Sequence, residues 1–212
     1  MIISILIKER EFDGFMDQQN TKVNYRKVLD SIKELYKRSA PGIVAIDGMC
    51  GSGKSYLASL IAENFDCNVF HMDDFFLPLE MKTKDRLEKP GANVHYERFK
   101  DEVLIPLVRQ QTVIYRPYLC GQWKYGETVQ VKPKKLTIIE GTYSMHPELR
   151  DAYDLKIFLS IDSNLQEERL RVREGEEKLH QFISKWIPLE NLYFNQLNIK
   201  ALCDIILDTM DF

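Results

Sequence analysis

Short and almost continuously apolar runs recur along the chain, at residues 42–47, 68–72, 136–139, 155–161 and 204–207. Runs of this length without alternating polar positions are typical of strands buried on both faces. Apolar residues with helical spacing precede the first run, at residues 23–38, and lie between most of the runs, at residues 55–64, 96–110, 163–173 and 190–201. Because strands that alternate with helices form parallel sheets covered on both sides, the pattern predicts an α/β fold.

Three local features complete this prediction. Residues 112–115 and 127–131 flank a loop with Pro and Gly, which predicts a β-hairpin inserted between two units of the main sheet. Ser163 is followed three residues later by Gln166, which predicts a capping box at the start of a helix. The apolar start at residues 1–7 runs directly into charged residues, so we interpret it as a short strand and not as a signal peptide.

The composition favours one domain over residues 1–212, with 44% hydrophobic residues to build its core. Within it, residues 1–40 form an N-terminal strand and helix extension, residues 111–132 the inserted hairpin and residues 169–188 a lid. The chain has 29 basic and 32 acidic residues, which argues against a nucleic-acid-binding protein. Four scattered cysteines fit free thiols in the cytoplasm, and no apolar stretch approaches the ~20 residues of a membrane span.

A glycine-rich segment follows the first buried run. Residues 48–55 read G-M-C-G-S-G-K-S and fit G-x-x-x-x-G-K-[ST] in full. The glycines allow successive backbone N–H groups to point at phosphate groups, and the next helix adds the positive end of its dipole. Lys54 is expected to reach the β- and γ-phosphates, and the Ser55 hydroxyl to bind Mg²⁺. The nucleotide site is expected to consist of Gly48, Gly51, Ser52, Gly53, Lys54, Ser55 and Tyr56.

Two acidic positions stand at the carboxyl ends of predicted strands, where a parallel sheet would place them beside the phosphates. Asp73 and Asp74 end one run, and Glu140 ends another. Carboxylates at such positions hold Mg²⁺, or accept the proton that an attacking hydroxyl loses. The chemistry alone does not decide between Asp73 and Asp74.

Arg169 and Arg173 are spaced i, i+4 in the predicted helix 163–173, and so share a helix face. Such a pair can close over a triphosphate as a lid and stabilise charge on the transferred group. The alternative interpretation is an exposed helix with alternating charges.

Taken together, these segments resemble the uridine kinase-like family of P-loop kinases, whose neighbours are phosphoribulokinase and bacterial pantothenate kinase. The resemblance runs from about Ile43 to Leu207. It is carried by residues 48–55, 71–78, 96–99, 139–144, 146–147, 185–190 and 193–194.

The resemblance implies a three-layer α/β/α fold with five parallel strands, in which the phosphate loop follows the central strand. It implies that Asp73 is the general base near the metal, which favours Asp73 over Asp74, and that Glu140 is the metal-side acid. It also implies ATP or GTP and Mg²⁺ as cofactors, Arg169 and Arg173 as lid residues, and an acceptor site with Asp73, Phe76, His95, Tyr118 and Arg169.

Two departures concern the acceptor. Members that phosphorylate uridine carry an aspartate for the ribose hydroxyls where this chain has His95, and Leu119 follows Tyr118 where an acid or another polar residue is common. We therefore predict a kinase of a small metabolite, with the 5′-hydroxyl of uridine or cytidine as the first candidate. The alternatives are a kinase of another small alcohol, of pantothenate or sugar type, and a nucleotide-binding protein with lost or altered acceptor specificity.

Two other nucleotide-dependent classes fit less well. A GTPase switch would carry N-K-x-D, which the chain lacks. A nucleoside monophosphate kinase needs no carboxylate base, which disagrees with Asp73 and Asp74 at the site. The expected partner is a small-molecule acceptor, with no nucleic acid and no membrane, and a homo-oligomer stays open.

Overall fold

The computed structural model describes residues 18–209, with side chains from Tyr25 onward, so the strand expected at residues 1–7 lies outside the described residues. Five parallel strands form the main sheet in the order β2-β7-β1-β8-β9. Their bounds are Gly42–Gly48 for β1, Cys67–His71 for β2, Leu136–Glu140 for β7, Leu155–Ser160 for β8 and Ile205–Asp208 for β9. The α/β prediction is confirmed, and the glycine-rich loop follows the central strand.

Alternate residues of the central strand enter two separate apolar cores. Val44 and Ile46 face a core that includes Val28, Ile32, Leu57 and Ile61 of two helices, α1 (Gln18–Lys37) and α2 (Lys54–Asn64). Ile43 and Ala45 face the opposite core, which includes Phe99, Val103, Tyr193 and Phe194 of helices on the other side. A strand with apolar side chains on both faces must be covered twice, and the three layers follow from this.

The other helices are short. They are α3 (Lys84–Leu87), α4 (Tyr96–Phe99), α5 (Ile105–Val108), α6 (Ser163–Glu174), α7 (Glu176–Gln181) and α8 (Ile187–Gln196). Single 3₁₀ turns cover Met72–Phe75, Leu79–Met81, Arg150–Ala152 and Ile199–Leu202. No helix within residues 18–209 combines the length and the apolar character needed to cross a membrane.

Two π-helical turns interrupt helices where the sequence predicted regular ones. They cover Lys100–Leu104 and Phe182–Trp186, and each is followed at once by Ile-Pro, at Ile105-Pro106 and Ile187-Pro188. Proline lacks a backbone N–H and its ring crowds the carbonyl four residues before it. The wider turn accommodates both effects within a continuous helical path.

The predicted hairpin is present, since β3 (Val113–Tyr115) pairs antiparallel with β6 (Val129–Val131). A shorter antiparallel pair, β4 (Tyr118–Leu119) with β5 (Lys124–Tyr125), lies inside its loop.

Two local predictions were wrong. The N-cap of α6 is Asp162, whose Oδ1 accepts hydrogen bonds from the Asn164 and Leu165 amides, so Ser163 does not form a capping box. The helix expected at residues 190–201 begins earlier and ends at Gln196, because Asn198 adopts a left-handed conformation with φ of 51°.

Candidate functional site

The loop between β1 and α2 has a backbone that requires glycine. Gly48, Gly51 and Gly53 have φ angles of 140°, 75° and 92°. A Cβ atom at Gly48 would also lie 2.1 Å from the Leu159 carbonyl oxygen. The Lys54 ammonium donates hydrogen bonds of 2.8 Å to the carbonyls of Gly48 and Met49, so its charge lies directly over the loop.

Three side chains from the segment after β8 hold this loop in place. Glu190 accepts a hydrogen bond from the Cys50 amide at 2.9 Å, and Gln166 donates to the Cys50 carbonyl at 2.8 Å. Arg169 donates to the Gly51 carbonyl at 3.2 Å. Burial raises the pKa of Glu190. Sequence reasoning gave Gln166 and Glu190 no role at the site, because their contacts with Cys50 span 116 and 140 residues.

Neighbouring strands bring a carboxylate and a histidine to the start of α2. Glu140 is buried at the end of β7, and His71 is its paired residue on β2. The distance from His71 Nδ1 to Glu140 Oε1 is 2.5 Å, and this hydrogen bond raises the pKa of His71. The Ser55 hydroxyl donates to both Glu140 oxygens at 3.4 Å. His71 was not predicted as a site residue, although it begins one of the segments that carry the resemblance.

Asp73 and Asp74 follow His71 in the 3₁₀ turn, and their surroundings differ. Asp74 accepts a hydrogen bond from the Tyr115 hydroxyl at 3.1 Å, which ties it to the hairpin. The Asp73 side chain is exposed, but surrounding protein atoms partly desolvate its carboxyl and so raise its pKa. The like charge of Glu140 adds to this rise. The charge of Lys54 acts in the opposite direction. Asp73 is therefore close enough to Lys54 of the phosphate loop for the lysine charge to act on its carboxyl.

A fully buried carboxylate lies beneath the loop. Asp47, at the end of β1, accepts hydrogen bonds from the amides of Gly48, Tyr143 and Met145 and from the Tyr193 hydroxyl. Burial raises its pKa, and the hydrogen bonds from Met145, Tyr193 and Gly48 offset part of that effect. Asp47 joins the phosphate loop, the loop after β7 and α8.

The residues at the site suit Mg²⁺ better than a metal ion whose ligands all come from protein side chains. Within residues 18–209, no group of three or more His, Cys, Asp or Glu side chains is arranged to hold a metal ion. Mg²⁺ usually keeps several waters and binds through one or two carboxylates plus phosphate oxygens. Ser55 and Glu140, with Asp73 nearby, match that donor set.

Comparison with known proteins agrees with this geometry. No family model matches the chain. A uridine kinase of Bacillus pumilus (strain SAFR-032) is 28% identical over 189 residues, covering 80% of this chain and 87% of that protein. The chain has the fold of the P-loop kinases and is similar in sequence to uridine kinases. Its reaction class is phosphoryl transfer to an alcohol group.

Solved structures support the fold of the kinase. A Bacillus stearothermophilus protein, described as a possible uridine kinase, matches with a TM-score of 0.69 at 18% identity, over 89% of this chain and 99% of that chain. A Silicibacter protein, provisionally described as a fructose transport system kinase, matches with a TM-score of 0.65 at 20% identity, over 86% and 98% of the two chains.

The predicted lid arginines of the kinase have different surroundings. Arg169 is half-buried on the phosphate loop, close enough to Tyr25 of α1 for each charge to affect the other's pKa. Arg173 is exposed and pairs with Glu174 at 3.0 Å, and its charge also acts on Asp73. Tyr56 is exposed beside α1, and its ring centroid lies 5.9 Å from that of Tyr25.

The residues expected at the acceptor are less open than the sequence suggested. Phe76 is half-buried and bridges to Val94 through the backbone. His95 Nδ1 is buried without a hydrogen-bond partner among residues 18–209, and burial lowers the pKa of the ring. Tyr118 is buried edge-on against Tyr125, with ring centroids 5.4 Å apart, so stacking on a base requires the hairpin to move.

Proposed function

We propose that the kinase transfers the γ-phosphoryl group of Mg·ATP to a hydroxyl of a small metabolite, with Asp73 as the general base. The observation that carries the proposal is the position of Asp73 in the turn after β2. Its carboxyl is open to solvent, has a raised pKa, and interacts with the charges of both Lys54 and Glu140. A base with a raised pKa is better matched to proton abstraction near neutral pH.

The other residues have complementary roles in this proposal. Amides of residues 48–55 bind the triphosphate, and Lys54 turns from the loop carbonyls to the β- and γ-phosphates. Ser55 and Glu140 hold Mg²⁺, which would neutralise charge between those phosphates. Arg173 closes from the segment 169–188, the proposed lid, and Arg169 stays on the loop.

The relatives' names make the 5′-hydroxyl of uridine or cytidine the first acceptor to test. The acceptor residues fit a nucleoside less well than those of uridine-phosphorylating family members do. His95 stands where those members carry an aspartate for the ribose hydroxyls. Losing a buried acceptor of that kind weakens binding by ~1–3 kcal/mol. Pantothenate and sugars are therefore tested beside the nucleosides.

Asp73→Asn tests the proposal, with Asp74→Asn as the matched neighbour. We expect Asp73→Asn to reduce product formation by roughly 10²–10⁴-fold, because the amide cannot accept the hydroxyl proton. Its affinity for Mg·ATP should stay close to that of the wild type. Asp74→Asn should keep most of the activity, since Asp74 is bound to Tyr115.

Product formation is measured by mass spectrometry with a panel of alcohols, and nucleotide affinity by calorimetry. A protein that binds Mg·ATP tightly but phosphorylates no alcohol would contradict the proposal and favour the nucleotide-binding alternative. Equal loss of binding and transfer in Asp73→Asn would contradict the role of Asp73 as base.

A further inference from the structure

Two lysines and two tryptophans converge from three separate segments of the chain. Lys82 follows the 3₁₀ turn Leu79–Met81, Trp123 lies in the loop of the inserted hairpin, and Lys185 and Trp186 belong to the π-turn of the proposed lid. The Lys82 ammonium is 5.8 Å from the ring centroids of both Trp123 and Trp186. The Lys185 ammonium is 4.7 Å from the Trp186 centroid. We call these four residues the lysine–tryptophan cluster.

In the part of the chain that the structure describes, neither lysine of the cluster has an anionic partner. Within residues 18–209, neither makes an ion pair or a side-chain hydrogen bond, whereas nearby Lys84 pairs with Glu88 and Lys178 with Glu174. Burial lowers the pKa of Lys82, the Cys120 thiol acts against this shift, and the positive charge of Lys185 adds to it. The two like charges repel each other although the tryptophan rings attract both, and an anion between them would offset that repulsion.

The cluster lies on the Asp73 side of the site. Cys120 directly follows β4, in the same loop as Trp123, and β4 packs against the turn Met72–Phe75 that contains Asp73. Burial raises the pKa of the Cys120 thiol, and the charges of Lys82 and Asp73 both act on it, in opposite directions. The cationic side chains bound to the phosphate loop are instead Lys54 and Arg169. An anion at the cluster would therefore belong to the acceptor and not to the nucleotide.

We propose that the acceptor of this kinase is an alcohol that also carries a phosphate or carboxylate group, which Lys82 and Lys185 bind between Trp123 and Trp186. The proposal rests on the proposed function, because it places the acceptor hydroxyl at Asp73. That oxygen forms a bond to the γ-phosphorus while the bond to the bridging oxygen of ADP breaks, and its proton passes to Asp73. The anionic group is unchanged by the reaction. Uridine has no such group, so it should be a poor acceptor.

The chain offers a direct probe of this cluster, since Trp123 and Trp186 are its only tryptophans. Intrinsic fluorescence is titrated with inorganic phosphate, and separately with acetate, at constant ionic strength. A saturating non-hydrolysable Mg·ATP analogue first fills the phosphate loop. We expect a saturable change with one of the two anions, and which one responds tells a phosphate acceptor from a carboxylate acceptor.

Lys82→Met and Lys185→Met should each weaken this anion binding at least about tenfold, because each removes a charged partner of the anion. Lys84→Met, which removes a lysine already paired with Glu88, should leave it unchanged. The proposal is overturned if neither anion gives a saturable change in fluorescence. It is also overturned if the double variant Lys82→Met/Lys185→Met gives the same change as the wild type. This titration needs no turnover, so it can succeed even if the kinase reaction fails.

Measurements of turnover also separate the proposed function from the proposed anionic acceptor. Matched alcohols with and without the charge are compared, such as glycerate with glycerol and fructose 6-phosphate with fructose. We expect product from charged members, with a KM for the alcohol that rises at least about tenfold in either lysine variant while the KM for ATP is unchanged. Efficient phosphorylation of uridine that ignores both lysines would overturn this proposal and leave the proposed function intact. A raised KM for ATP alone would also overturn it, because it would place the lysines at the triphosphate.

Discussion

Asp47 illustrates how much of the site depends on one buried side chain. Its carboxylate accepts four hydrogen bonds from three different parts of the chain. The sequence shows it only as the last residue of an apolar run, and the run correctly predicted a strand. The partners of Asp47 lie up to 146 residues away, so neither their identity nor their geometry follows from local pattern.

The same limit applies to the rest of the site. Spacing alone predicted the loop residues, because the motif is contiguous and its chemistry is backbone chemistry. The strand ends predicted the positions of Asp73 and Glu140, since parallel strands end at one edge of a sheet. His71, Gln166 and Glu190 reach the site through tertiary contacts, which no local pattern specifies.

His146 makes folding sensitive to mild acid. It is buried and stacks on Tyr96, with ring centroids 3.8 Å apart, and burial lowers its pKa from 6.5 to about 4. In the unfolded chain the imidazole takes up a proton as the pH falls through 6.5, while in the folded protein it stays neutral until about 4. The stability it supports is therefore present above pH 6.5 and is lost between the two values.

We predict that the wild type loses about 2 kcal/mol of unfolding free energy from this group between about pH 7 and about pH 5. His146→Phe keeps an aromatic ring against Tyr96 but cannot titrate, so its pH dependence should be weaker by that amount. Urea unfolding of both proteins at the two pH values measures the difference. Equal slopes would show that His146 titrates normally in the folded protein.

At the level of elements, the start of α6 offers a test of the corrected cap. Asp162 accepts two amide hydrogen bonds there, and its negative charge also suits the positive end of the helix. Asp162→Ala should cost about 1 kcal/mol of stability. Ser163→Ala, at the first helical residue, should cost almost nothing. Thermal or urea unfolding compares them, and the reverse order would restore the capping box first predicted from the sequence.

Helix interiors were predicted better than helix ends for a physical reason. Apolar spacing records which face is buried, and the segment 96–110 was correctly predicted as helical over most of its length. The π-turns before Pro106 and Pro188 leave that face in place while changing the hydrogen-bond ladder. Spacing therefore carries no information about them, although the repeated Ile-Pro pairs were a signal that could have been used.

For the whole molecule, the fold class followed from alternating elements, but the strand order did not. The order β2-β7-β1-β8-β9 places β7, far along the chain, between the first two strands. Composition and periodicity do not encode such neighbours. Only the family resemblance implied that the phosphate loop would follow the central strand.

Nucleotide binding should stabilise the entire fold, because the loop joins the central strand to α2. Mg·ATP at about 100 times its dissociation constant should add about 2.7 kcal/mol to the free energy of unfolding. Lys54→Met should lose most of this increment, since it removes the charge over the loop. Thermal unfolding with and without ligand measures the shift within each protein, which corrects for any effect of the substitution itself.

Chelation of Mg²⁺ provides the companion measurement. ATP with excess EDTA should stabilise the wild type less than Mg·ATP, because Glu140 then faces the phosphates without a cation between them. An equal shift in both conditions would argue against Ser55 and Glu140 as metal ligands.

Gln166 and Glu190 both bind the backbone of Cys50: Gln166 donates to its carbonyl, and Glu190 accepts from its amide. The stretch between them is thus a closed loop with both ends fastened at one point. Within this stretch, Arg169 binds the Gly51 carbonyl, and Leu170 and Leu179 pack against Cys50. Residues 167–189 therefore brace the phosphate loop: replacing their inward-facing side chains should disturb the loop, whereas a substitution at exposed Val172 should leave its shape unchanged.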